Sequence, residues 1–166
     1  MSPAELALQR FATKWGSPHT PPVVIDPGDL AITEYSIGRL FPRAYHDALV
    51  AVGLPRLTGS LLTSIVEADA DCGDVGEFFT PAETIARLDD YRTAATPAAF
   101  VPFASDCMGD RYGFLCPASG EPRPTDAPVV RMDHETGEVA EVAGSFVDWL
   151  QDYDAIEFVH FEDVQA

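Results

Sequence analysis

The residues best suited to chemistry in this chain are carboxylates. Asp69, Asp71, Asp74 and Glu77 crowd into residues 67–77 (EADADCGDVGE), and Asp106 and Asp110 share one later turn signal. Carboxylates so close could hold calcium. An EF-hand loop needs an oxygen ligand at its fifth position, Gly at the sixth and Glu at the twelfth. Counted from Asp69, those positions are Gly73, Asp74 and Thr80, so the pattern fails. Asp133-His134-Glu135 is a second ionisable run. Consecutive strand residues point to opposite faces, so these three converge only if the turn bends them. His19, His46 and His160 sit at no metal-ligand spacing in the sequence. Ser105 lacks a GxSxG elbow and Cys107 lacks a local base. The GxGxxG and P-loop patterns are absent. The best enzyme reading is a metal hydrolase using Asp106, Asp110, Asp133 and His134, and nothing in their spacing supports it. The expectation is no catalytic residue, no metal and no cofactor.

Charge says more than any motif. Asp and Glu number 27 against 10 Lys plus Arg, a net charge of −17 over 166 residues. That field repels nucleic acid and anionic membranes. It attracts a basic protein and speeds the encounter, while the plain alternative is solubility. Hydrophobic residues make up 46%, which suits a globular core. No apolar run approaches the ~18 residues of a membrane span. The N-terminal MSPAELALQRFATKW has neither a basic region nor a continuous apolar run, so a cytoplasmic protein is expected. Cys72, Cys107 and Cys116 form no CxxC and are expected as reduced thiols.

The elements that position these residues follow from caps and periodicity. Ser2-Pro3-Ala4-Glu5 is a capping box, and Leu6, Leu8, Phe11 and Trp15 form its helical stripe. Residues 17–28 hold four prolines and read as a loop. Asp29 is expected to cap a second helix through about Gly38, burying Leu30, Ile32, Tyr35 and Ile37. Pro42 opens a third, with Tyr45, Leu49 and Val52 inward and Gly53 as its stop. Leu61, Leu62, Ile65 and Val66 favour a short helix, and residues 67–77 an acidic loop. Thr80-Pro81-Ala82-Glu83 is a second capping box. Residues 100–115 (FVPFASDCMGDRYGFL) read strand, bulged turn, strand, with Phe103 and Phe114 buried and Gly109 in a conformation closed to other residues. Residues 129–132 and 139–142 make a second hairpin, and Ser145 caps a closing helix with Phe146, Trp149 and Leu150 inward. Residues 156–164 alternate loosely, as an edge strand would. Helices first and antiparallel strands later imply an α+β fold, with helices packed on one side of a mostly antiparallel sheet.

In order and spacing these segments resemble the SUKH superfamily. Leu40-Phe41-Pro42-Arg43-Ala44-Tyr45 with Leu49 and Gly53 resembles its first signature. Phe79-Thr80-Pro81-Ala82-Glu83-Thr84-Ile85 resembles its Pro-Glu helix start. Phe100-Val101-Pro102-Phe103-Ala104-Ser105-Asp106 with Gly109-Asp110 resembles its central strand–turn–strand. Val129-Val130, Asp133-His134, Gly137, Ser145-Phe146 and Trp149-Leu150 resemble its closing hairpin and helix. The resemblance spans about residues 29–152. It implies a strongly bent sheet and a non-enzymatic, protein-binding role. The superfamily includes fungal Smi/Knr cell-wall regulators and bacterial immunity proteins that neutralise toxins, many of them nucleases. Residues 1–166 are accordingly expected to form one domain, with 1–28 an N-terminal helix and Pro-rich extension. The expected partner is a cognate toxin or other basic protein. The expected surface is Asp69, Asp71, Asp74, Glu77, Asp106 and Asp110. The alternative is an interaction module in cell-wall or stress regulation.

Overall fold

The computed structural model of the chain describes residues 1–160. Four helices come first. In α1, Pro3–Trp15, Ser2 Oγ accepts the Glu5 amide and the Glu5 carboxylate accepts the Ser2 amide, so the capping box closes. Its inner stripe is Ala4, Ala7, Leu8, Phe11 and Trp15, while Leu6 faces solvent. Helix α2, Pro27–Ile37, starts earlier than expected. Asp26, not Asp29, is its cap, its Oδ1 accepting the Gly28 amide at 2.6 Å. Its inward face also differs. Leu30 is buried, but Ile32 and Tyr35 are 62% and 89% exposed. The face that meets protein is Leu30, Thr33, Glu34 and Ile37, which is itself a helical spacing. Glu34 tolerates burial because Arg123 pairs with it at 2.9 and 3.0 Å and the Phe41 amide donates to it at 2.8 Å. That pair ties α2 to the Pro-rich segment 117–128.

Helix α3, Arg43–Val52, opens after Pro42, buries Tyr45, Ala48 and Leu49, and stops at Gly53 with φ of 89°. Helix α4, Ser60–Ala68, buries Leu61, Ser64 and Ile65, leaves Val66 exposed, and ends on Asp69, whose φ is 49°.

Strands β1, Glu77–Phe78, β2, Phe100–Ser105, β3, Arg111–Leu115, β4, Val129–Met132, and β5, Val139–Ala143, form one antiparallel sheet in sequence order. The expected acidic loop is therefore shorter than residues 67–77. Glu67 belongs to α4, and Glu77 belongs to a two-residue strand too brief to show periodicity. Between β1 and β2 lies α5, Pro81–Arg87, started by the reciprocal Thr80 and Glu83 bonds. In the central hairpin Val101 faces Phe114 and Ser105 faces Arg111, with the register shift between Pro102 and Ala104. Gly109 has φ of 102°, as its turn requires. Helix α6, Phe146–Asp154, starts on Ser145, which accepts the Asp148 amide at 3.0 Å. Residues 156–160, expected in an edge strand, pair with no strand of the sheet, and 161–164 lie outside the described residues.

Helices against an antiparallel sheet make this an α+β fold, as the sequence order implied. The main core lies where one sheet face meets α1, α3 and α6. Phe103 is at its centre, stacked on Phe114 at 4.8 Å and edge-on to Trp149 at 5.2 Å. Helices α1 and α6 meet there. Phe11 packs on Tyr153 at 5.6 Å, and Lys14 donates to the Asp154 carbonyl, 140 residues away, at 2.8 Å. A smaller cluster, Phe100, Val130 and Met132 with Val139, forms apart from this core. Gly113 is held to hydrogen by it, since a Cβ there would meet the Phe100 ring at 2.6 Å.

Candidate functional site

The acidic segment and the central turn, separate in sequence, meet in space. Asp74 Oδ1 accepts the Cys107 amide at 3.2 Å. Asp106 folds the turn around itself, its Oδ1 accepting the Met108 and Asp110 amides at 2.9 and 3.0 Å. Strand β4 then supplies a cation. Arg131 stands opposite Tyr112 in the β3–β4 register, and its guanidinium lies over the Tyr112 ring, 5.7 Å from its centre. Its Nη2 donates to Asp106 Oδ2, and its Nε is 3.1 Å from Asp110 Oδ2. The other Asp110 oxygen faces His134 Nδ1 at 2.6 Å and accepts the His134 amide at 3.1 Å. Two carboxylates, one guanidinium and one imidazole thus close into a network that fixes the turn.

The six expected surface residues separate into two groups. Asp74 and Asp106 are buried, and Asp110 is partly covered. These three spend their oxygens inside the protein. Asp69, Asp71 and Glu77 are exposed, and Glu77 pairs with Arg87 at 2.7 Å. Among the described residues, Asp69 and Asp71 are therefore the carboxylates of this face that enter no ion pair.

Partial burial pushes the Asp110 carboxyl up, but the two His134 bonds and the Arg131 charge more than reverse it, leaving it below its usual range. The Asp110 bond raises the His134 imidazole above its ordinary value. The signs give a window. Asp110 stabilises above the normal carboxylate range and loses that contribution as pH falls through its lowered value. His134 stabilises below about 6.5 and loses its contribution as pH rises through its raised value. The pair therefore acts most strongly between about pH 4 and 6.5. In an NMR titration the His134 ring should show a midpoint above 6.5, and Asp110→Asn should lower it. A midpoint indifferent to that substitution would place the ring elsewhere.

The thiols are poor nucleophiles. Desolvation, then the Asp74 bond and charge, push Cys107 up to about 11. Desolvation followed by Asp152 and Asp71 raises Cys72 as well. Both stay protonated at neutral pH. Asp110, Asp133 and His134 each place one ligand atom within 4.8 Å of the others, so two members of the 133–135 run come together with Asp110, and Glu135 is not among them. A cation there would compete with His134 and Arg131 for the same Asp110 oxygens.

Arg131 was not singled out from the sequence. Its signal was arithmetic: with 27 acids and 10 Lys plus Arg, an arginine in a strand between apolar residues must neutralise something. The meeting of Asp74 with residue 107 had no signal, because it depends on the β1–β2 pairing.

The fold and this site define an α+β protein whose charged turn is closed by its own ion pairs and whose Asp69 and Asp71 are exposed. The chain belongs to the SMI1 / KNR4 family (SUKH-1), which it matches over residues 25–152. That family includes immunity proteins and Smi1/Knr4 regulators, and its members are in general not enzymes. No curated protein matches the chain. Among the described residues no helix is long and apolar enough to cross a membrane.

Proposed function

We propose that this chain is a cytoplasmic, non-enzymatic immunity protein that binds and blocks a basic toxin, nucleases being the toxin class that fits best. The observation that carries this reading is the charge of −17 on a member of a family that includes toxin-binding immunity proteins. Nucleases carry basic surfaces because they bind phosphates. An acidic protein covering such a surface gains rate and selectivity from complementarity. The exposed Asp69, Asp71 and Glu77 meet the toxin first. Asp74, Asp106 and Asp110 hold the turn beside them in shape.

The test is stopped-flow association with a candidate basic toxin domain, at low and at high salt. Salt should slow association, since the Debye length falls from ~30 Å at 0.01 M to about 8 Å at physiological ionic strength. Asp69→Asn with Asp71→Asn should slow it further while changing dissociation less. An association rate indifferent to salt and to both substitutions would move the surface elsewhere. Loss of toxin activity on mixing separates immunity from a purely regulatory interaction.

A further inference from the structure

A groove of about 720 Å³ opens between α6, strands β3 to β5 and residues 70–73. Tyr112, Trp149 and Tyr153 line its floor and are almost wholly buried, so the floor is firm and only the edges of their rings reach it, while Val142 is the exposed apolar side chain of the lining. Two of their hydroxyls hold down the wall. Tyr112 donates to the Asp74 carbonyl and Tyr153 to the Gly73 carbonyl, each at 2.9 Å. The groove is therefore preformed.

Its charge comes from both sides. Asp71 lies on the segment after α4, and Asp152 lies on α6; both line the groove and both are exposed. Desolvation raises the Cys72 thiol in the same lining, and the Asp152 and Asp71 charges raise it further. Arg131 also lines it, but Asp106 and Asp110 already meet that guanidinium. An anion would find no free cation among the lining residues. A wholly apolar ligand would strip water from two carboxylates without replacing it, which is unfavourable.

We infer that this groove receives an arginine or lysine side chain of a protein partner, its methylene stem against Trp149, Tyr153 and Val142 and its charge paired with Asp71 and Asp152. Long cationic side chains are suited to such a site, because the stem packs on apolar surface while the head keeps polar company. The inference rests on the immunity reading for the identity of the partner, and it adds to that reading the side chain the partner must offer. It also draws Asp152 into the surface, a residue far from the acidic segment in sequence.

The test needs no toxin. The full chain is titrated with N-acetyl-arginine amide while its amide and indole NMR signals are followed. N-acetyl-citrulline amide, equal in shape and uncharged, is the control. Saturable shifts are expected at residues 71–73, at Asp152 and at the Trp149 indole, with millimolar affinity and at least tenfold weaker citrulline binding. Asp71→Asn with Asp152→Asn should weaken the arginine amide at least tenfold and leave signals far from the groove unmoved. Equal binding of citrulline, shifts confined to another face, or indifference to the double substitution would each overturn the inference. The two readings fail separately. A toxin that binds the Asp152→Asn variant as tightly as the unaltered chain overturns the groove's role and leaves immunity standing. Selective amide binding without toxin inhibition overturns immunity and leaves the groove.

Discussion

Phe103→Ala should lower the unfolding free energy by about 3–5 kcal/mol, the usual cost of truncating a fully buried phenylalanine. Phe103 has no exposed surface and its ring neighbours Tyr45, Phe78, Phe114, Phe146 and Trp149. These come from α3, β1, β3 and α6, so no single element can shift to fill the void without disturbing the others. Incomplete collapse is what raises the cost of a cavity above the transfer free energy of the lost atoms. With total stability typically about 5–15 kcal/mol, this one change could take most of it. Urea unfolding followed by tryptophan fluorescence gives the number. A loss well under ~1 kcal/mol would mean that the residue is not at the centre of the core.

Arg131→Met should cost about 3 kcal/mol, the lower end of the 3–5 expected when a buried ion pair loses one member. The lower end applies because the Arg131 side chain is 30% exposed and solvent screens part of its charge. The Asp106 side chain is only 1% exposed, so the carboxylate left behind has little water to turn to. Asp106→Asn made in the same chain should restore much of the loss, because an amide oxygen still accepts the Met108 and Asp110 amides without a buried charge. A double-mutant cycle by urea unfolding reads this directly. Additive costs would show that the two side chains do not act on one another.

What was legible in the sequence was whatever local chemistry decides. Ser2 with Glu5 and Thr80 with Glu83 announce helix starts because the cap bonds are made within three residues. Phe103 and Phe114 announced a hairpin because alternation and the turn residues agreed. Ile32 and Tyr35 misled because α2 is apolar on more than one side, and only tertiary packing decides which side is covered. The choice fell on the side where Arg123 could neutralise Glu34. The acidic cluster was visible as composition, but its division into inward and outward carboxylates was not. Asp106 and Asp71 look alike in a string of letters. They differ because β4 carries Arg131 to one of them and leaves the other at the rim.

The clasp between α1 and α6 also sets an order of events during synthesis. Strands β2 to β5 follow one another in sequence and in space, so each finds its neighbour soon after it is made. Helix α1 has no such luck. The Lys14 and Asp154 contact spans 140 residues, and a ribosome adding ~5–20 residues per second needs on the order of 10 s to cover them. Throughout that interval Leu8, Phe11 and Trp15 lack the α6 surface that completes their burial. Helix α1 is made long before α6 and is sealed only with it, so its apolar stripe must be kept from other company until α6 arrives.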